Sequence, residues 1–333
     1  MSDVAKAAGV SVATVSNVLN NKSIVNEKTK LHVLKIANEM GYTVDNAARA
    51  LKTGRSNAVG MIVPDISSVF FSIIVRQIEE ILEKHGYTLI VSNSLERIER
   101  QRNHLLSFSS GMVDAIIIAS CAMDYKEFEQ CIPRNLPVLF IDRPVINSQH
   151  SEISVNFRDS LYRATEDLLN RGFRNFGLIP GLKDWSLMDY RTVAIRDCLE
   201  HYHIPFDQNN MLFIQDINLG GGPYAVELYK KKCQVIFTPN SDCTSEALSA
   251  LLEVGAVINQ DVTLLAVSDD PKDRALYGNM FPMVVQPTYE IAVQTANQIL
   301  QMIKTPDMRP ITMRLAAEYR PAAEPIHYMK KWS

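Results

Sequence analysis

Apolar residues recur along this chain in two different rhythms. Up to about residue 42 they fall three and four apart, the spacing of short amphipathic helices. Beyond residue 57 they gather into strand-sized runs separated by helical stretches. In the first part the pattern predicts a helix over Asp3–Ala8 ending at Gly9. A second runs from Val12 to about Leu19, capped by Ser11 and closed by Asn20-Asn21, and a third covers Glu27–Met40, capped by Asn26 and stopped at Gly41. Val4, Ala8, Val10, Val15, Leu19, Leu31, Leu34 and Ala37 are the expected shared core. Two short helices joined by a three-residue turn that contains glycine make a helix-turn-helix.

After the polar linker Thr53-Gly54-Arg55-Ser56-Asn57, strands are predicted at Val59–Val63, Thr88–Val91, Ala115–Ala119 and Val138–Ile141. A second set follows at Phe176–Ile179, Met211–Ile214, Val235–Thr238 and Thr263–Val267. Helices fill the gaps. One from Phe70 carries Ile74, Ile78, Ile81 and Leu82 on one side and stops at Gly86; one from Arg158 carries Leu161, Leu168 and Leu169 and stops at Gly172. Strands alternating with helices imply parallel sheets covered on both faces. His85-Gly86-Tyr87-Thr88-Leu89 and Arg171-Gly172-Phe173-Arg174-Asn175-Phe176 repeat one order, helix, glycine, aromatic, strand, so two similar lobes are expected. Ligands of such folds bind at the C-terminal ends of strands and at domain junctions.

Composition narrows the class. The 333 residues are 47% hydrophobic and 21% charged, as in a water-soluble protein of two or three domains. No apolar run approaches the roughly 20 residues of a membrane span, and the opening Met1-Ser2-Asp3 lacks the basic and apolar regions of a signal peptide. The five cysteines, Cys121, Cys131, Cys198, Cys233 and Cys243, are odd in number and never spaced C-x-x-C, which fits reduced thiols in a cytoplasm and predicts neither metal nor redox pair. Charge is divided unevenly. Residues 1–56 hold eight Lys/Arg against four acids, a net +4, and the remainder of a chain whose total is −3 holds −7. A basic end on an acidic body suggests a polyanionic partner for that end alone.

With Val15 and Leu19 turned inward, Val12, Ala13, Ser16 and Asn17 share the opposite face of the second helix. Their small, hydrogen-bonding side chains suit base edges in a major groove, with Ser11, Thr14 and Asn20 flanking as phosphate donors. The pattern alone leaves an ordinary helical hairpin open. The run Asp3-Val4-Ala5-Lys6-Ala7-Ala8-Gly9-Val10-Ser11-Val12-Ala13-Thr14-Val15-Ser16-Asn17-Val18-Leu19-Asn20, however, resembles the opening of the LacI/GalR family of bacterial regulators. Gly41-Tyr42 and Ala48-Arg49-Ala50-Leu51-Lys52-Thr53-Gly54-Arg55 resemble that family's hinge. In the body, Val63-Pro64-Asp65-Ile66-Ser67-Ser68, Leu136-Pro137-Val138-Leu139-Phe140-Ile141-Asp142-Arg143 and Val285-Gln286-Pro287 are similar to family segments. The chain departs from the family at Asn17, where Arg is commonest; at Val44-Asp45, where Pro-Asn is usual; at Ser68-Val69 and Ser241; and at Phe157, where Asn is common. It also opens about three residues short of the family's usual start, so an upstream start codon is an expectation.

The resemblance implies an all-α helix-turn-helix N-terminal domain over 1–45 and a hinge helix and linker over 46–57. An α/β periplasmic-binding-protein-like domain of two doubly wound lobes follows over 58–333, with crossovers near 155–158, 284–287 and 317–320. Val12, Ala13 and Asn17 would read bases; Ser11, Thr14, Ser16 and Asn20 would anchor. Leu51 would wedge into a minor-groove step beside Arg49 and Lys52, in a hinge helix that folds only on operator DNA. Arg191, Asn240 and Asp269 would grip an effector.

Side-chain chemistry adds Asp65 and Asp142 to these, as acceptors for a hydroxylated ligand, and Phe70, Phe71 and Trp185 as apolar faces. For the three aromatics plain packing stays open, and for Arg191 and Asp269 a structural ion pair. The expected function is transcriptional regulation, read as repression, by a homodimer binding a pseudo-palindromic operator and a small molecule such as a sugar, with no cofactor and no membrane. The dimer is expected because no Leu heptad follows Arg320. Control by a phosphocarrier-type protein co-effector remains an alternative. An α/β enzyme is a further one, opposed by the lack of a nucleophile elbow or P-loop; Gly220-Gly221-Gly222 reads as a turn.

Overall fold

The computed structural model describes residues 1–19, 24–42, 55–182, 190–215, 220–270, 273–277 and 280–322. The chain divides into two compact units, Met1–Asn57 and Ala58–Ser333.

In the first unit, helices α1 (Ser2–Ala8), α2 (Val12–Leu19) and α3 (Glu27–Glu39) start and stop on local signals. Gly9 takes a left-handed φ of 63°, letting the Val10 amide reach back to the Ala5 carbonyl at 3.1 Å and end α1. Ser11 Oγ accepts the Thr14 amide hydrogen at 3.0 Å and caps α2. Asn26 does the same for α3 through the Thr29 amide at 2.8 Å. The core comprises Val4, Ala5, Ala8, Val15, Val18, Val33 and Ala37. It differs from the expected set at Leu31 and Leu34, which are 61% and 39% exposed. The inward stripe of α3 is set by Val33, Ile36 and Ala37, three and four apart, and Leu31 and Leu34 lie roughly 100–160° around the helix from Val33.

The second unit contains two sheets. β1 (Ala58–Val63), β2 (Thr88–Asn93), β3 (Ala115–Ile118), β4 (Val138–Asp142), β5 (Ser151–Asn156) and β10 (Thr312–Ala316) form a parallel sheet in the order β10-β5-β4-β3-β1-β2. β6 (Phe176–Leu178), β7 (Val235–Thr238), β8 (Thr263–Ser268), β9 (Met283–Val285) and β11 (Glu318–Arg320) form the other, in the order β11-β9-β8-β7-β6, with only β11 antiparallel. Helices α4 (Val69–Lys84), α5 (Ile98–Ser107), α6 (Arg158–Asn170), α7 (Tyr190–His201), α8 (Gly222–Lys230), α9 (Ser241–Glu253), α10 (Asp273–Tyr277) and α11 (Thr288–Lys304) accompany them.

Strand pleating distributes the side chains. Ala115 and Ile117 enter one apolar cluster and Ile116 and Ile118 another; likewise Val235 and Phe237 point opposite to Ile236. Both glycines of the repeated segment end helices, Gly86 with φ 77° and Gly172 with φ 95°. In each case the aromatic amide that follows bonds back five residues, Tyr87 to Leu82 and Phe173 to Leu168. The chain passes between the sheets three times, from β5 into α6, from β9 into α11 and from β10 to β11.

Met211–Ile214 is not a strand. It makes only the bridges Leu178↔Met211 and Leu182↔Ile214 along the edge beside β6, because no ladder continues between them. β5, β9, β10 and β11 were not foreseen: they are short, or interrupted by polar residues as in Ser-Glu-Ile-Ser-Val-Asn. No helix among the described residues is long and apolar enough to cross a membrane.

Candidate functional site

On α2, burial of Val15 and Val18 turns Val12 and Ala13 outward, with Ser16 and Asn17 half-buried on the same side. Ser11 Oγ and Thr14 Oγ1 lie 2.9 Å apart, so these two hydroxyls fix the helix start as well as facing outward. Asn20, and the hinge residues Arg49, Leu51 and Lys52, lie outside the described residues, as does Trp185.

In the body, the C-terminal ends of β7 and β8 bring Arg191, Asn240 and Asp269 together. Asn240 caps α9, its Oδ1 accepting the Cys243 amide at 2.8 Å. Arg191 donates from Nη1 to the Pro239 carbonyl at 2.9 Å, and its guanidinium sits 5.4 Å from the centroid of the Phe157 ring. Phe157, the departure at the first crossover, is therefore the platform on which Arg191 rests.

Asp269 is 0% exposed. Its Oδ2 accepts the Ser241 amide at 2.8 Å and its Oδ1 accepts a short bond from Gln286 Nε2. The Asp269 amide donates to Ser241 Oγ at 2.8 Å, and its carbonyl accepts Thr288 Oγ1 at 2.7 Å. Burial pushes the Asp269 carboxyl up to about 7 from 3.8, against the pull of Ser241, Gln286 and Arg191. Gln286 Oε1 is buried without a hydrogen-bond partner among the described residues.

Beside this group stands a residue that motif reasoning missed. Asp242, in the first turn of α9, lies by Ser68 and Val69 at the start of α4. A carboxylate of one lobe thus faces the positive end of a helix of the other. Burial raises the Asp242 carboxyl, and Asp65 and Asp273 add to the rise by like-charge repulsion. Only three-dimensional proximity reveals this contact, since 174 positions in the chain separate Ser68 from Asp242.

The remaining predicted residues take part in local structure. Asp65 closes a turn on Ser67, accepting its amide at 2.9 Å and its hydroxyl at 2.7 Å. Asp142 ends β4 with φ 68°, an uncommon backbone for a side-chain-bearing residue, and lies 3.6 Å from Arg143 Nε. Arg143 in turn grips Glu96 with two bonds of 2.6 and 2.9 Å, a pairing the sequence pattern did not suggest. Phe70 and Phe71, each 5% exposed, belong to the apolar core with ring centroids 5.0 Å apart, so here packing is what they do. A cavity beside α7, lined by Val193, Arg196, Glu200, His203 and Phe206, contains none of the predicted residues. Among the described residues no cluster of His, Cys, Asp or Glu could hold a metal ion.

Comparison with known proteins gives matches over nearly the whole chain. The profile described as "Bacterial regulatory proteins, lacI family" matches residues 1–45. That described as "Periplasmic binding proteins and sugar binding domain of LacI family" matches residues 56–319. Among relatives, the transcriptional regulator RegA of Clostridium saccharobutylicum is 27% identical over 92% of this chain and 93% of its own. The ribose operon repressor of Halalkalibacterium halodurans is 29% identical over 91% and 90%. Among solved structures, the Lac repressor dimer bound to operator and an anti-inducer superposes with a TM-score of 0.79 at 19% identity, over 96% of this chain and 97% of that one. A LacI-family regulator from Enterococcus faecium with bound ribose gives 0.69 at 23%, over 80% and 99%.

Proposed function

Because the chain belongs to the LacI family of bacterial regulatory proteins, we propose that it represses transcription by binding operator DNA, with an affinity set by a small molecule held between its two lobes. It is a regulator and not an enzyme. The observation that carries the reading is the pairing, in one chain, of a capped, uncharged α2 face on a basic unit with a two-lobed body whose strand ends gather Arg191, Asn240 and Asp269.

We assign residues 1–45 to DNA reading, 46–57 to the hinge and 58–333 to effector binding and dimerisation. Val12, Ala13 and Asn17 contact bases, and Ser11, Thr14, Ser16 and Asn20 position α2 on the backbone. Arg49, Leu51 and Lys52 act in the hinge. Asp65, Asp142, Trp185, Arg191, Asn240 and Asp269 form the effector site, where carboxylates accept from hydroxyls and the guanidinium donates. Phe70 and Phe71 support that site from the core. The acceptor-rich chemistry suits a sugar or sugar derivative, and the relatives named for ribose support that class. Exposed Leu252, Val254 and Val257, in and just after the last turn of α9, offer apolar side chains to a homodimer contact.

Effector binding changes how the lobes meet, which either stabilises or releases the hinge; coupling of this kind is typically about 1–3 kcal/mol. The test is binding of the purified protein to the intergenic DNA upstream of its own gene, titrated against salt, with and without a panel of sugars and sugar phosphates. Tight binding that falls steeply with salt and that one compound alters is the expected result. Binding that no compound alters would move control to a protein co-effector. Absence of any specific binding would overturn the regulator.

A further inference from the structure

The face that α2 turns outward has a chemistry of its own. The helix, Val-Ala-Thr-Val-Ser-Asn-Val-Leu over 12–19, carries no charged side chain. Its outward residues divide into committed and uncommitted groups. Ser11 and Thr14 are bonded to one another at the helix start, and Ser16 also has a partner. The Asn17 amide makes no hydrogen bond within the described residues. Val12 is 48% exposed and Ala13 is exposed, so their methyl groups form the leading surface one turn before Asn17.

Base edges distinguish between these groups. In the major groove guanine presents two acceptors, O6 and N7, which call for a double donor such as Arg or Lys, and α2 has neither. Adenine presents the acceptor N7 beside the donor N6, which one planar amide matches with its Nδ2 and Oδ1. On guanine the same amide would satisfy one acceptor and set its Oδ1 against the other. Val12 and Ala13 complement the thymine C5-methyl group. Of the lysines of this unit, Lys6 lies on α1 and Lys28, Lys30 and Lys35 on α3, where they can serve phosphates, while Lys22 and Lys52 lie outside the described residues.

Resting on the regulator reading above, we propose that α2 reads A·T pairs, with Asn17 on an adenine, Val12 and Ala13 against a thymine methyl, and no guanine read by this helix. The experiment selects duplexes from a random pool with the full-length protein, then varies each selected base pair. In each half-site one A·T pair is expected whose change to G·C weakens binding about 5- to 150-fold. Replacing its adenine by 7-deazaadenine, which keeps pairing but removes N7, weakens binding in the same direction. Asn17→Ala levels the preference at that pair alone and retains salt-dependent binding to unrelated DNA, which shows the unit still folded. Asn17→Arg moves the preference to guanine. The proposal is overturned if the wild type selects guanine at the pair that Asn17→Ala affects, or if Asn17→Ala leaves every preference unchanged. A wild type that selects no sequence at all would overturn the regulator reading itself.

Discussion

Asp269 and Gln286 form a pair with one bond made and one acceptor left over, since Gln286 donates through Nε2 while its Oε1 finds no donor among the described residues. A protonated Asp269, or an asparagine in its place, could supply that donor once the Gln286 amide turned over. The folded-state pKa of about 7 lies above the ordinary 3.8. Between about pH 4 and about 7 the native protein therefore keeps a proton that the unfolded chain has released, and its stability falls as pH rises through that window. Asp269→Asn is expected to remove this slope, so that the variant gains on the wild type as pH is raised from 4 to 8. Urea unfolding at several pH values checks it, and an equal gap at every pH would exclude Asp269 as the cause. Asp269 and Arg191 were legible from the sequence because they fall at family positions. The unpartnered oxygen of Gln286 and the approach of Asp242 to the start of α4 were not, because each depends on the distance between residues far apart in the chain.

Helix α8 lies against α9 at a distance that only glycine permits. A Cβ on Gly221 would sit 2.2 Å from Cys243 Sγ and 3.1 Å from the Cys243 carbonyl, and one on Gly222 3.1 Å from Ala250 Cβ. Gly220, with φ 59°, makes the turn, so Gly220-Gly221-Gly222 serves as turn for its first residue and as packing surface for the others. Gly221→Ala should cost about 1–3 kcal/mol, the usual price of overpacking a filled interior. Thermal unfolding would register it as a lowered midpoint, and an unchanged midpoint would mean that α8 moves freely. Elements with strong apolar runs or clear caps, such as α2, α4 and β3, were readable in advance. Those set by edges were not: β10 is largely exposed, and its residues follow β5 through backbone pairing that leaves no apolar signature.

The two units have separate cores, and they differ greatly in size. Among the described residues the first has seven buried core residues, none larger than valine, and a unit of this scale is marginal. Val15→Ala is expected to remove about 1–3 kcal/mol. Calorimetry should then show the first unit melting at lower temperature while the transition of the body stays in place; a matching shift of both would mean that they unfold as one. Two lobes were legible from the alternation and from the repeated glycine-aromatic segment. How they exchange chain was implied by resemblance alone, because the returning strands are too short to read. That exchange bears on how the protein is made. The first sheet takes β10 from residues 312–316, the second takes β11 from 318–320, and α11, which packs on α4, comes from 288–304. The earliest strands therefore emerge from the ribosome long before their last neighbour exists. Neither sheet gains its last strand until residues 312–320 have been made, so the two halves of the body are completed together.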